Sequence, residues 1–189
     1  MSASNLSKSI ADATHFLFAI HADVRAMLVS LEAALDRAGW LPWAKKVSRD
    51  LSPTLQGEWV LWQGHRYYSP KTDGDTFDRL IAVVFNLAQP DDAEHDYATL
   101  LAAAVRFPQP TTPDEVYNSW ADICPVYRAT LGRPGVCVLA QPDFKDLFPH
   151  ASAVAAVALP LCSLTGEDEL RTKVIEPILA AEAALGAQS

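Results

Sequence analysis

Ile10, Leu17, Val24 and Leu31 recur every seven residues, and Ala13, Ile20, Met27 and Ala34 fill the complementary positions. Leu28 and Leu35 widen the stripe. This spacing predicts one amphipathic helix over residues 6–38 with a broad apolar face. A cap at "SIAD" (Ser9–Asp12), or at Ser4 one turn earlier, starts it, and Gly39 ends it. At about 1.5 Å per residue the helix approaches 50 Å, longer than a small domain is wide. It therefore either lies along a sheet or gives part of its apolar face to another chain, and a homodimer through residues 6–38 is the expectation.

Beyond Gly39 the pattern breaks up. Pro42 suits the first turn of a second, short helix in which Trp43, Val47 and Leu51 share a face. Pro53 and Gly57 close that region. From residue 57 the signal is strand. "EWVLWQGHRYYS" is rich in aromatic and β-branched types, and reads as one strand bulged at Gly64 or as a hairpin turning at Gln63-Gly64. "RLIAVVFNLA" (79–88) is the unbroken apolar run of a central strand covered on both faces. "YATLLAAAVRF" (97–107) suits helix by its alanines and strand by its ends; it is read as a strand, bounded by Pro108 and forming a meander with its predecessor.

Thr112, Pro113 and Glu115 predict a helix start, with the helix ending before Pro125. "RPGVCVLAQP" (133–142) and "HASAVAAVALPL" (150–161) read as strands, with one helical turn at "DFKDLF" between them. A Thr165–Asp168 capping box opens the last helix, whose seam is Leu170, Val174 and Ile178, and Pro177 should disturb its hydrogen bonds. The sum is one α+β domain over 1–189, with a helical part (1–56) and a sheet-containing part (57–189). Its antiparallel or mixed sheet has about five strands, with a long N-terminal amphipathic helix and a C-terminal helix packed on it. The element order resembles, in architecture only, sensory domains of the GAF and PAS type or profilin-like sheets. No motif names a family.

Composition excludes some activities. The 189 residues carry a net charge of -8, with +1 over 1–56 and -9 from residue 57 onward. Nucleic-acid binding draws most of its affinity from excess Lys and Arg, so no nucleic-acid partner is expected. Lys45, Lys46 and Arg49 form a small basic cluster, suited to a local anion or to a solvated helix face. The three cysteines, Cys124, Cys137 and Cys162, lack a C-x-x-C spacing and sit among apolar neighbours, which suggests buried free thiols and a cytoplasmic location. No apolar run reaches the length of a membrane span, so no membrane partner is expected.

Chemistry-bearing patterns are sparse. His15 and His21 lie six apart on one helix, on different faces, and no H-E-x-x-H occurs. "DDAEHD" (91–96) gathers carboxylates around His95 but lacks the glycine and the ligand alternation of a calcium loop, so no metal is expected. The eight glycines are scattered, with no phosphate-binding loop, and no cofactor is expected. Cys162 and Ser163 precede a helix N-terminus, where a thiol can be activated, but no G-x-S-x-G elbow accompanies them. No catalytic residue is assigned.

The remaining feature is "GEWVLWQGHRYY" (57–68). In a strand, Trp59, Leu61, Gln63, His65 and Tyr67 share one face, and Val60, Trp62, Gly64, Arg66 and Tyr68 share the other. Such a segment is either packed between layers or a platform for a ligand or partner, with Trp59, Trp62, His65, Arg66 and Tyr68 as candidates. The expected function is that of a non-catalytic binding or regulatory protein, self-associating and with room for a small molecule. The alternatives are a small-ligand sensory domain, or a hydrolase or transferase using His65.

Overall fold

The computed structural model describes residues 3–42, 48–49, 63–71, 76–87, 98–112 and 124–187. Among these residues a seven-stranded, wholly antiparallel sheet forms the centre. Its strands are β1 (Trp40–Pro42), β2 (Ser48–Arg49), β3 (Gln63–Pro70), β4 (Phe77–Asn86), β5 (Thr99–Thr111), β6 (Cys137–Val138) and β7 (Ala153–Pro160). The order across the sheet is β1-β3-β4-β5-β7-β6, and β2 also pairs with β3. The α+β class stands, with one long N-terminal helix, α1 (Ala3–Arg37), and a helical C-terminus.

Three central strands are buried on both sides, so they carry apolar residues at every position rather than at alternate ones. One face bears Tyr68, Ile81, Val83, Leu100, Ala102 and Val157, under Val24, Leu28, Leu31 and Leu35 of α1 and Leu170, Val174 and Ile178 of the C-terminal helix. The other bears Tyr67, Leu80, Val84, Leu101, Val105 and Val154, under α2 (Cys124–Thr130), α3 (Gln141–Phe144) and the turn that follows. The alanines of β5 and β7 keep the sheet surface low, and the last helix packs directly over those two strands.

Several expectations change. Residues 40–42 and 48–49, expected in a helical part, are strands of the sheet edge. Gly39 does end α1, at φ +88°, a conformation other residues adopt only with strain. The chain then reverses so that Trp40 is buried at the start of β1 and pairs with Pro70. Trp43 and Val47 lie outside the described residues. Gly64 makes neither a bulge nor a turn: Gln63, Gly64 and His65 pair with Asn86, Phe85 and Val84 in unbroken register. β5 runs past Pro108 to Thr111, with a register shift opposite Phe77–Arg79. Pro125 lies in the first turn of α2, where it needs no N–H donor, rather than beyond a helix end; residues 113–123 lie outside the described residues.

The C-terminal helix comprises α4 (Glu167–Leu170), a π turn (Arg171–Ile175) and α5 (Glu176–Gly186). Pro177 cannot donate to the carbonyl four residues back, and its ring crowds that carbonyl. The preceding turn widens in response, with the Glu176 N–H donating to the Arg171 carbonyl. The Thr165–Asp168 box does not form. Gly166 occupies the cap position without a side-chain bond, and Asp168 accepts from Arg171 instead, at 3.1 Å.

Candidate functional site

Strand alternation divides the aromatic segment between two layers. His65 and Tyr67 face the α2–α3 side, with ring centroids 5.0 Å apart. Arg66 and Tyr68 face α1. Trp59 and Trp62 lie outside the described residues. Of the five candidates, Arg66 and Tyr68 share a face, and His65 is separated from them by the thickness of the sheet.

Each has a structural surrounding. His65 is 5% exposed, and burial lowers its pKa to about 4. Its imidazole is neutral throughout the physiological range and a weak base there. Arg66 Nη2 donates to Glu32 Oε2 of α1 at 2.7 Å, which anchors the helix to β3. Tyr68 is fully buried; burial pushes its hydroxyl up to about 12, opposed by the Arg66 charge and reinforced by Glu32.

A second polar group was not foreseen. Glu182 of α5 is buried and faces two arginines of the sheet, Arg106 at 2.7 Å and Arg79 at 3.4 Å. The Arg79 guanidinium also stands 5.6 Å from the centre of the Trp40 ring. This chain of contacts ties α5 to β5, β4 and the sheet edge. In the sequence, the acids and arginines involved are up to 103 residues apart and carry no shared pattern.

A concavity among the described residues lies elsewhere. A groove of about 640 Å³ runs between α1 and the segment 161–170, with Leu87 and Ala98 also lining it. Its α1 side is Ile20, Asp23, Val24, Met27 and Ser30; the opposite wall includes Leu161, Leu164 and Leu170. Its charged lining groups, Asp23 and Glu167, are both acidic, and Glu167 accepts from Ser30 at 3.0 Å. The size lies within the range of small-molecule pockets, but the groove is open along one side.

Cys162 lines this groove and is exposed, against the expectation of a buried thiol, and Cys137 is half-buried; both are free. Ser163 Oγ donates to the Pro160 carbonyl at 2.7 Å, which holds the turn and engages the hydroxyl. His15 is exposed and His21 half-buried on α1. His95 and its acidic loop, together with Lys45 and Lys46, lie outside the described residues. Among the described residues no cluster of His, Cys, Asp or Glu is arranged to hold a metal ion, and no helix is long and apolar enough to cross a membrane.

Comparison with protein-family models, with curated proteins and with solved structures found no match.

Proposed function

We propose that this chain is a non-catalytic binding or regulatory protein of the cytoplasm that works as a homodimer joined through α1. One observation carries the reading: the N-terminal half of α1 stands clear of the fold with large apolar side chains in solvent. Residues 7–16 are all exposed, and the core contacts of the helix begin at Ile20. Ile10, Phe16 and Phe18 are 59%, 67% and 68% exposed. About 25 Å of helix therefore projects without a core beneath it. Isolated helices of this length are marginal in water, and burying each such side chain would recover about 1.5–3 kcal/mol. A partner that covers this face supports both the helix and the exposed surface.

The alternatives have less support. A general base needs a pKa near the working pH, and burial takes His65 well below it. A sensory domain needs an enclosed cavity, and the groove beside α1 is open. Light scattering on the intact chain and on Ile10→Asp tests the proposal. The parent is expected as a dimer and the variant as a monomer that keeps its cooperative unfolding and loses at most the helical signal of the projecting half of α1. A variant that keeps the dimer removes α1 as the joining element.

A further inference from the structure

The groove and the projecting helix belong to the same element, and their apolar rows match. With Ile10 and Leu17 at the first position of a heptad and Ala13, Ile20 and Met27 at the fourth, an antiparallel pairing sets first positions against fourth positions. The register centred between Leu17 and Ile20 does so symmetrically over residues 10–27. It places Ile10 against the second copy's Met27, Ala13 against its Val24, and Leu17 against its Ile20. Ile20, Val24 and Met27 are the α1 side of the groove. We infer that the groove between α1 and residues 161–170 is the seat for the N-terminal half of α1 from a second copy of this chain, docked antiparallel across a two-fold axis between Leu17 and Ile20. This rests on the self-association reading above and specifies its geometry.

Three further observations favour this occupant. Phe16, 67% exposed, flanks the seam at roughly 70° from its centre, at 100° per residue, so a docked helix covers it where Phe18 is left out. The charged lining of the groove is acidic, whereas the incoming segment leads with a helix N-terminus, which carries partial positive charge. Its first turn has no acidic residue and Lys8 follows closely, and this end arrives beside Ser30 and Glu167. Finally, each copy supplies one helix and one groove, so the contact is isologous and closes at two chains rather than growing into a filament. Phe18 lies roughly 130° around the helix from the centre of the seam, at 100° per residue, and stays outside it.

Three substitutions in the full chain separate the outcomes, read by light scattering for mass and circular dichroism for fold. Phe16→Asp on the incoming helix and Leu164→Asp on the wall are each expected to shift the dimer to monomer with the fold retained. Phe18→Asp is expected to leave the dimer intact. A dimer that survives Leu164→Asp but is lost in Phe16→Asp overturns the groove as the seat and leaves self-association standing. A parent chain that is monomeric at every concentration overturns both. Because Leu164 is half-buried, hydrogen exchange on the unaltered chain gives a second reading. Protection of residues 7–20 and of 161–170 should be lost together on dilution. Loss confined to α1, or a small molecule retained in the groove in native mass spectra, contradicts the proposal.

Discussion

Arg66 reaches across from β3 to Glu32 of α1 at 2.7 Å, with the arginine side chain 10% exposed and the carboxylate 38% exposed. The pair is asymmetric, so its two deletions should differ. Glu32→Ala leaves a buried guanidinium without its counter-charge and is expected to cost roughly 1–3 kcal/mol, discounted from a fully buried pair for solvent at the carboxylate. Arg66→Met leaves a carboxylate that water can solvate and should cost less. Urea denaturation of the two variants checks the order; a larger loss for Arg66→Met would mean that the arginine has another role.

His65 makes stability depend on pH. Its folded pKa of about 4 lies below the ordinary imidazole value of 6.5, so between these values the unfolded chain binds the extra proton more readily. The contribution is complete above pH 6.5, falls progressively as pH drops toward 4, and changes little below that. The total is about 3 kcal/mol. His65→Gln should flatten this part of the stability profile measured by denaturation between pH 4 and 7. A profile identical to the parent would show that the imidazole is not held neutral by burial.

Glu182 holds Arg106 and Arg79 together beneath α5. Glu182→Ala strands Arg106 in a nearly dry site and is expected to cost about 3–5 kcal/mol. Gly186→Ala acts on the same group from another side. A methyl at residue 186 would meet the movable Arg106 guanidinium and push it from the carboxylate; with the helix propensity of alanine opposing the loss, the net cost is expected at about 1 kcal/mol. Thermal unfolding of the single and double variants should show strong non-additivity, because both disturb one arginine. Additive losses would place the two effects at separate sites.

The fold was legible where pattern and environment agree. The heptad spacing of α1, the apolar run of β4 and the punctuation by Gly39 and Pro160 each name their element. Ala102–Ala104 do not, because alanine disfavours strands in isolation and β5 uses it to let α5 lie close. β1 and β2 were hidden for a related reason: short edge strands take their identity from β3, not from their own residues. In the candidate segment, strand alternation alone places His65 and Tyr67 on one face and Arg66 and Tyr68 on the other. The partners that give those residues their surroundings, Glu32 above all, come from elements that the spacing along one strand cannot indicate. The groove joins residues 20–30 to 161–170, and no spacing along the chain brings those two segments together.

Sedimentation equilibrium of the intact chain, from sub-micromolar to high micromolar concentration, tests the central claim most directly. A closed two-fold assembly through α1 predicts a mass that rises to twice the 20.6 kDa of one chain and stops there. A mass of 20.6 kDa at every concentration, or one that grows past two chains without limit, contradicts it.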